Sequence, residues 1–463
     1  MFAVLALAAL GGYLVLNGAL NTDEGFYLLA SRLVANGFRP YRDFGYTQGP
    51  VLPYVNVPWL AVLGYNLAGL RLASLGWTLI TVTLGVWRLR RRASWAVATT
   101  FAVLLLGAPA WMEFAVQGKT YGFSGLAVLV GVIALTSRGR LGWRWVAFIV
   151  AAALGTGARY PVAGFFIPAW AGLIMLTPGW RARMAATMAT ALCGGLLLAW
   201  AAAGDWENFY YWTAGFHALS MFVFSRREQF WYFLLFAPAL WIASGLMAGR
   251  LTGRDRPIRI AYLALLLGLV ANLAGHTTYA EYVFPLVPAL AFIVARALTG
   301  WLAGLRRSVA VPLTVALLAC AWIHPPDLNP DLLRNARDAS AFLQAHVGPQ
   351  DVVASSMPEI PAATGNAVPL SLAMGKFGVT EDFDAAQAER LHMATPATLR
   401  DLLRDPATKA LVLSTVLNWN FFWSLPSYWW LSEQARGELK QTVSENYTVG
   451  YANADYVVLL RRP

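Results

Sequence analysis

Two adjacent carboxylates, Asp23 and Glu24, lie a few residues past an apolar run over residues 2–20. Asn21 followed by Glu24 resembles a helix-capping arrangement, and acidic side chains suit a helix N-terminus. A carboxylate that faces a cavity at the membrane surface could instead accept a proton from a substrate hydroxyl. The two interpretations are compatible, with one acid capping and the other acting as the base. An amphipathic helix at the outer membrane interface is predicted directly after the pair.

Three further charged residues lie close to apolar sequence. Glu113 and Lys119 are in "GAPAWMEFAVQGKTYGF", predicted as the second outer loop, and Arg159 is in "GTGARYPVAGFFIP". Glu113 is either a second carboxylate at the membrane depth of Asp23 or a solvated loop acid. Arg159 is either an anion ligand or a snorkelling arginine, because a charge so close to apolar sequence must be paired or face water.

Polar aromatic residues accumulate at the outer end of a late apolar run. "GHTTYAEYVFPLVPAL" contains His276, Tyr279 and Tyr282, whose side chains can donate hydrogen bonds to a phosphate. The alternative is an interfacial aromatic cluster. Residues 417–431, "LNWNFFWSLPSYWWL", are also rich in aromatics, which indicates packing onto membrane or headgroups, or stacking on a sugar.

The composition is that of a membrane protein. Of the 463 residues 58% are hydrophobic and 13% charged, and the mean hydropathy is +0.52, whereas soluble domains are about 25% charged. The net charge of +11 does not indicate nucleic-acid binding, because the excess arginines lie in short loops between apolar runs. Cys193 and Cys320 both lie inside apolar runs, so no disulfide framework is predicted.

Apolar windows of about 17–25 residues predict about eleven transmembrane helices. They cover residues 2–20, 66–87, 93–110, 120–136, 143–157, 161–177, 184–203, 230–248, 259–275, 280–298 and 308–323. Residues 51–63 are apolar but short and contain two prolines, which favours an interfacial or re-entrant piece.

The loops predict an orientation. Five alternate loops are rich in arginine, at residues 88–92, 138–144, 181–183, 250–259 and 306–307, while the other loops carry most of the acids. Basic loops stay cytoplasmic. The N-terminus is therefore predicted inside, and everything after the eleventh span is predicted outside.

Two domains are predicted. Residues 1–325 form a membrane all-α polytopic bundle, with interfacial helices in the first loop at about residues 23–63. Residues 326–463 are polar and form a small extracytoplasmic α/β domain, with a helix over residues 332–347 and strands in "QDVVASS" and "KALVLST". A terminal hairpin is predicted in "YTVGYANADYVVLLRRP", turning near Asn453.

The motifs resemble those of the multi-span GT-C glycosyltransferases, in particular the bacterial branch related to protein O-mannosyltransferases and lipid A aminoarabinose transferases. The matching segments are the acidic pair, "PYRDF" at residues 40–44, "RYP" at residues 159–161, and Tyr282 with Pro285 and Pro288. The layout of many spans followed by a small outer α/β domain is also similar. One departure is that Asn21-Thr22 stands where that branch carries a basic residue.

The resemblance implies an inverting transferase with a polyprenyl-phosphate sugar donor. Asp23 would be the base, Glu24 a cap or support, and Glu113 a second carboxylate of the site. Lys119, Arg159 and His276, with Tyr279 and Tyr282, would bind the donor phosphate. No cofactor is implied, and one acidic pair without a histidine cluster is a poor metal signature, so a divalent metal is possible but not indicated.

The expected partners are the lipid-linked donor, membrane lipids and an acceptor that is a glycan, a lipid or a protein. The expected location is the outer side of a bacterial plasma membrane. Two other functions stay open: a transporter or flippase of lipid-linked saccharides, which would need ionisable groups along a path through the spans, and a non-catalytic membrane scaffold, in which Asp23 could be replaced with no effect beyond stability.

Overall fold

The structure is a computed structural model of the chain. It describes residues 2–21, 23–203, 205–219, 226–253, 255–274, 279–306, 325–415, 423–424 and 429–463, together with residues 308, 312, 315, 316 and 319.

The first two thirds of the chain are helical. The α-helices are α1 (Phe2–Asn17), α2 (Glu24–Ala35), α3 (Val51–Leu63), α4 (Leu67–Arg92), α5 (Trp95–Leu106), α6 (Pro109–Val116), α7 (Tyr121–Thr136), α8 (Leu141–Ala158), α9 (Ala163–Leu176), α10 (Trp180–Ala201), α11 (Trp206–Tyr210), α12 (Phe216–Leu219), α13 (Arg226–Phe236), α14 (Pro238–Thr252), α15 (Arg256–Leu273) and α16 (Val287–Ala303). Tyr160–Val162 and Ala280–Leu286 are 3-10 helices, and Tyr211–Gly215 is a π-helical turn.

The remaining part mixes helices and strands. In chain order they are α17 (Leu332–His346), β1 (Val352–Ser355), α18 (Glu359–Thr364), α19 (Ala385–Arg390), α20 (Pro396–Arg404), β2 (Thr408–Ser414), β3 (Trp423–Ser424), β4 (Trp429–Trp430), α21 (Glu433–Asn446), β5 (Tyr447–Ala452) and β6 (Tyr456–Arg461). Short 3-10 turns cover Leu370–Leu372 and Gly375–Phe377.

Within the described residues, five helices are long and apolar enough to cross a membrane: α4, α8, α10, α15 and the helix Glu281–Ala303. Two bent pairs, α5 with α6 at 84° and α13 with α14 at 86°, would raise that number to seven if each pair is one span. Shorter apolar helices of 10–17 residues cover Val4–Asn17, Val51–Leu63, Tyr121–Thr136 and Tyr160–Leu176. The count of eleven stays a prediction, and most of its last span, residues 308–323, lies outside the described residues.

Two predicted spans are not single straight helices. The prediction of one helix over residues 230–248 is wrong, because α13 ends at Phe236 and Pro238 starts α14. The first turn of a helix suits proline, because the backbone N–H that proline lacks would have no acceptor within the helix there. Similarly, α5 ends at Leu106, Gly107 follows as its C-cap, and Pro109 starts α6. Prolines at these positions open new helices rather than continuing the old ones.

The chain forms two compact units, each built from separated segments. Unit 1 consists of residues 1–15, 74–199 and 223–328, and unit 2 consists of residues 16–73, 200–222 and 329–463. The predicted division at residues 325/326 stays a prediction. In unit 2, α2 packs against α18, which belongs to the segment after residue 329.

Unit 1 is a helical bundle. α7 packs against α8, α9 against α15, and α16 against α5 and α14. Phenylalanines fill the core between them, among them Phe101, Phe148, Phe165 and Phe292, each at most 1% exposed. In a bilayer such side chains hold helices together through van der Waals packing rather than through the hydrophobic effect.

Unit 2 contains a four-stranded sheet in the order β1-β2-β6-β5. β1 and β2 are parallel, while β2–β6 and β5–β6 are antiparallel, so β5 and β6 form the predicted hairpin. The predictions of α17, β1, β2 and this hairpin are confirmed. α17 covers one side of the sheet, and α20 and α21 contribute to the core on the other.

The first loop of unit 2 differs from its prediction in one respect. α2 was predicted as an amphipathic helix, but every residue from Glu24 to Ser31 is buried. Ser31 is fully buried and donates a hydrogen bond from its hydroxyl to the Tyr27 carbonyl. Tertiary contacts explain this burial. Both α3 and α18 pack against α2, so little of its surface is left for solvent.

Candidate active site

The acid pair lies at the start of α2. Asp23 is the N-cap residue and is partly exposed, whereas Glu24 is the first residue of the helix and is fully buried. The Asn21 N–H donates to Glu24 Oε2 (3.2 Å), and the Asp23 N–H donates to Asn21 Oδ1 (3.1 Å). Glu24 thus satisfies a backbone donor before the helix, which is the capping role predicted for one member of the pair.

Glu24 is also one half of a buried ion pair. Arg71, in the second turn of α4, donates from Nε to Glu24 Oε1 (2.9 Å) and from Nη2 to Glu24 Oε2 (2.6 Å). Its other bonds go to the carbonyls of Gly18 (2.9 Å) and Ala19 (2.8 Å). Arg71 is 1% exposed and Glu24 is 0% exposed. A two-point contact of this kind fixes the carboxylate in place and leaves Asp23 as the solvent-accessible acid of the pair.

A third carboxyl adjoins the pair from α18. Glu359 is 2% exposed, and its Oε2 lies so close to Gly25 that a Cβ there would overlap it. Glu359 Oε1 and the Tyr456 hydroxyl are both buried, and each group shifts the pKa of the other. Burial raises the pKa of Glu359 to about 7. The nearby Glu24 acts in the same direction, while the Glu359 backbone N–H, the Tyr456 hydroxyl and the Lys376 ammonium lower this pKa.

The "PYRDF" segment forms a tight turn in unit 2. Tyr41 has φ of 67°, is 1% exposed, and donates its N–H to the Phe44 carbonyl (2.8 Å). His392, with φ of 54°, places Nε2 3.1 Å from the Tyr41 carbonyl. Both residues adopt the left-handed conformation, which is uncommon outside glycine and marks a constrained position. The turn is thereby fixed to the segment that follows α19.

Asp43 closes this turn. Its carboxylate accepts from the Arg39 N–H (2.7 Å) and from Arg42 Nε (2.9 Å). Although partial burial opposes it, the hydrogen bonds from Arg42 and Arg39 hold the pKa of Asp43 below its usual value. The motif therefore shapes the first loop through its own internal bonds.

In unit 1, Arg159 is buried among aromatic side chains. It is the C-cap residue of α8 and 2% exposed, and its Nη1 donates to Thr120 Oγ1 (3.1 Å). Its guanidinium carbon lies 4.6 Å from the ring centroids of both Tyr121 and Tyr282. The snorkelling interpretation does not fit this burial. A desolvated cation held between two rings is strongly oriented and can serve as an anion ligand.

Lys119 lies against the same ring. Its Nζ is 5.7 Å from the Tyr121 ring centroid and 3.5 Å from Glu281 Oε1. Tyr279 packs on Tyr282 with ring centroids 5.4 Å apart. Two cations, Arg159 and Lys119, and the two predicted tyrosines thus meet in one cluster, which we call the cation cluster, formed by the start of α7, the end of α8 and the Ala280–Leu286 turn.

Glu113 lies in unit 1 as well, and the alternative of a solvated loop acid is wrong, whereas its role as a second site carboxylate stays a prediction. It is in α6 rather than in a loop, and it is 6% exposed rather than solvated. Its Oε2 accepts from the Asp327 N–H (3.3 Å), and Gln117 Nε2 donates to its Oε1 (3.5 Å). The helix that begins at Pro109 places the Glu113 side chain in a buried position.

The structure brings together some predicted site residues and separates others into two units. Asp23 and Glu24 are in unit 2, while Glu113, Lys119, Arg159, Tyr279 and Tyr282 are in unit 1. A pocket shared by both groups stays a prediction. His276 and most of the aromatic stretch 417–431 lie outside the described residues.

The carboxylate of Glu24 is engaged by Arg71. Both oxygens of Glu24 accept hydrogen bonds from Arg71, which occupies the positions that a cation would need. Among the described residues, no group of three or more His, Cys, Asp or Glu side chains could hold a metal ion.

Two residues that adjoin the acid pair, Arg71 and Glu359, are not identified by the sequence analysis. Arg71 is a lone charge near the start of an apolar helix, and that isolation is the signal for a buried partner. Glu359 gave no comparable signal, because "SSMPEIPAAT" reads as an ordinary exposed helix start.

Known proteins share the fold. No protein-family model and no curated protein sequence matches the chain. ArnT from Cupriavidus metallidurans bound to undecaprenyl phosphate has a TM-score of 0.65 at 12% identity, over 98% of this chain and 97% of ArnT. Apo ArnT has a TM-score of 0.65 at 14% identity, over 98% and 96% of the two chains. AglB, the archaeal oligosaccharyltransferase from Archaeoglobus fulgidus, in complex with an inhibitory peptide and a dolichol-phosphate, has a TM-score of 0.51 at 11% identity, over 98% of this chain and 73% of AglB.

ArnT and AglB are GT-C superfamily enzymes. The resemblance seen in the sequence motifs is therefore confirmed at the level of the fold, which is mostly helical, with several apolar helices and a small sheet.

Proposed function

We propose that the chain is an inverting glycosyltransferase that moves a sugar from a polyprenyl-phosphate donor to an acceptor hydroxyl on the outer side of a bacterial plasma membrane. The observation that carries the proposal is the cation cluster, in which Arg159 and Lys119 both lie against Tyr121 in a chain with the ArnT fold. A lipid phosphate is an anion of the size that two adjacent cations bind well.

In the proposed reaction, the acceptor oxygen attacks C1 of the sugar while Asp23 takes the hydroxyl proton. The bond between C1 and the phosphate oxygen breaks, and the lipid phosphate leaves as an anion. Arg159 and Lys119 stabilise the negative charge that develops on that oxygen. Asp23 is in unit 2 and the cations are in unit 1, so the proposal requires both to reach one donor.

Glu24 has a supporting part in this scheme. Its ion pair with Arg71 fixes the first turn of α2 and with it the backbone of the preceding Asp23. A base held by a rigid helix start loses little orientational freedom when substrate binds.

Donor binding tests the phosphate role. Native mass spectrometry of the full chain, titrated with undecaprenyl phosphate, should show binding to the wild type and binding about tenfold to a hundredfold weaker to Arg159→Gln. Arg140→Gln, which removes an exposed loop arginine, is the matched control and should bind as the wild type does. Equal affinity of the Arg159 variant would remove Arg159 from the donor site.

Sugar transfer tests the base. Radiolabelled hexoses and pentoses linked to undecaprenyl phosphate serve as donors, and a cell-envelope extract serves as acceptor. Asp23→Asn should lower transfer by at least about a hundredfold and leave donor binding intact. Asp384→Asn, at the N-cap of α19 in the same unit, is the control. Transfer by Asp23→Asn at a rate near that of the wild type would show that another group is the base.

A further inference from the structure

An acid is bonded to the cation cluster. Lys119 Nζ lies 3.5 Å from Glu281 Oε1, in an ion pair whose side chains are 5% and 17% exposed. The same Nζ lies 5.7 Å from the centroid of the Tyr121 ring, which also carries the Arg159 guanidinium at 4.6 Å. The ion pair therefore belongs to the group of side chains that the proposed donor phosphate would contact, and the proposed reaction gives Glu281 no part.

The Ala280–Leu286 turn fixes the position of this acid. Tyr282 follows Glu281 directly in the chain, and its N–H donates to the Tyr279 carbonyl (3.0 Å). The Tyr282 ring lies 4.6 Å from the Arg159 guanidinium carbon. Glu281 is thus held next to one cation by its neighbour in the sequence and is bonded to the other cation by its own carboxylate.

The carboxylate of Glu281 lowers the positive charge of the cation cluster by one unit. Solvent and salt screen partly buried charges much less than exposed ones. At an effective dielectric constant of about 20, one unit charge still acts on another several ångströms away. Glu281 therefore repels every negative charge of a phosphate that binds to Lys119 and Arg159, and a ligand with a single negative charge is repelled least.

Lipid phosphates differ in the charge that they carry. A phosphodiester carries one negative charge, a phosphomonoester carries about 1.5–2 at pH 7, and a diphosphate carries more. A sugar donor that is linked through one phosphate is a diester, whereas the lipid phosphate that leaves after transfer is a monoester. Charge alone therefore distinguishes the donor from the product, and both from a lipid diphosphate.

We propose that Glu281 is a specificity-determining residue of the cation cluster, and that it favours a lipid phosphodiester over lipid phosphomonoesters and lipid diphosphates. This inference rests on the proposed function, because it takes the cation cluster as the site of the donor phosphate. Glu281 also weakens the binding of the phosphomonoester product, whose charge is higher than that of the donor, and so favours its release.

The test compares lipids of different charge by native mass spectrometry of the full chain in phosphatidylcholine nanodiscs. The probes are undecaprenyl methyl phosphate, undecaprenyl phosphate and undecaprenyl diphosphate, so that no sugar contributes to binding. Glu281→Gln keeps the shape of the side chain and removes its charge. Relative to the methyl diester, it should tighten binding of the diphosphate about tenfold and of undecaprenyl phosphate about threefold. Unchanged ratios would overturn the proposal.

Three further variants control for effects other than charge. Asp255→Asn removes an acid of unit 1 from an exposed ion pair with Arg138 (3.4 Å), and it should change the ratios by less than about twofold. Glu281→Asp keeps the charge and should keep the ratios of the wild type. Lys119→Gln should shift them in the opposite direction and weaken the diphosphate most, which tests the proposal even if Glu281→Gln does not fold. Equal weakening of all three lipids by Lys119→Gln would overturn it.

The Arg159→Gln variant separates this inference from the proposed function. If Arg159→Gln weakens all three lipids while Glu281→Gln leaves their ratios unchanged, the cluster binds the donor phosphate but Glu281 does not select its charge. If Arg159→Gln leaves all three affinities unchanged, the cluster is not the phosphate site and both proposals fail.

A last arm separates a polyprenyl lipid from a bilayer phospholipid. Phosphatidylglycerol is also a phosphodiester with one negative charge. Its addition to the nanodiscs should weaken binding of undecaprenyl methyl phosphate by less than about twofold. Stronger competition would assign the cation cluster to phospholipid headgroups and overturn the proposal.

Discussion

Replacing Arg71 with Met tests how the acid pair is held. Arg71 is 1% exposed, and it donates two hydrogen bonds to Glu24 and further hydrogen bonds to the carbonyls of Gly18 and Ala19. The substitution removes those donors and leaves an anion in a buried position. Methionine keeps much of the side-chain volume, so the loss reports the interactions more than a cavity.

The expected cost follows from the burial of both partners. Removing one partner of a buried ion pair destabilises a protein by about 3–5 kcal/mol. For a folding unit of about 150–250 residues, 1 kcal/mol corresponds to about 2–4 °C in Tm. The Arg71→Met chain should therefore unfold about 10 °C below the wild type.

The assay is thermal unfolding followed by tryptophan fluorescence in nanodiscs at one scan rate. Arg42→Met is the matched control, because the Arg42–Asp43 pair is on the surface, with the Arg42 side chain 45% exposed, and its loss should change Tm by less than about 2 °C. Asp23→Asn should also leave Tm within about 2 °C, because Asn is an equally good N-cap residue.

A second substitution tests whether the unpaired carboxylate of Glu24 causes the loss of stability. Adding Glu24→Leu to Arg71→Met removes the buried anion and should recover most of the lost Tm, since a hydrophobic pair of similar volume is often as stable as a buried ion pair. An Arg71→Met chain within 2 °C of the wild type, or a double variant no more stable than the single one, would show that the pair does not hold the start of α2.

Three further predictions concern the surroundings of the acid pair and of the cation cluster. Gly25→Ala should lower Tm strongly, because its Cβ would overlap Glu359 Oε2 and lie 3.0 Å from Pro358, whereas Gly437→Ala, in open space on α21, should stabilise the chain by about 0.5–1 kcal/mol. Since burial raises the pKa of Glu359 from 4.5 to about 7, the stability that its proton contributes is complete below about pH 4.5 and is lost as the pH rises through 7. This loss of stability is about 3 kcal/mol at most, and Glu359→Gln should remove it. The measurement is Tm from pH 5 to 8, and a variant whose Tm falls with pH as steeply as that of the wild type would show that Glu359 is not the titrating group. Glu113→Gln should keep transfer within about tenfold, because an amide oxygen can still accept from the Asp327 N–H; a hundredfold loss of transfer at unchanged Tm would make Glu113 a catalytic carboxylate.

Local patterns were sufficient for much of the fold. The short apolar run in "KALVLST" and the hairpin turn at Asn453 predict strands that the structure contains, β2 and the β5–β6 pair. Apolar windows predict most of the long helices. The breaks at Gly107–Pro109 and Pro238 were missed, although both carry proline, because a hydropathy window averages over single residues.

The site was harder to predict because its contacts join distant segments. The sequence identified Arg159, Lys119 and Tyr282 separately, but nothing local shows that one ring, Tyr121, lies beside both cations. Likewise, Glu24 and Arg71 are 47 residues apart, and Glu359 reaches Gly25 from more than three hundred residues away. Such contacts arise from tertiary packing, which cannot be inferred from a single sequence.

Unit 2 is formed by segments that are far apart in the sequence, so the ribosome synthesises its parts at different times. Residues 16–73 leave the ribosome first, yet α2 packs on α18, and the Tyr41 turn is bonded to His392. The central sheet strand β6 is synthesised later still. Domains generally fold as units during synthesis, so the acid pair acquires its contact with α18 only after the segment from residue 329 onward has been synthesised. A nascent chain that stops before Tyr456 carries the first loop without the structure that shapes it.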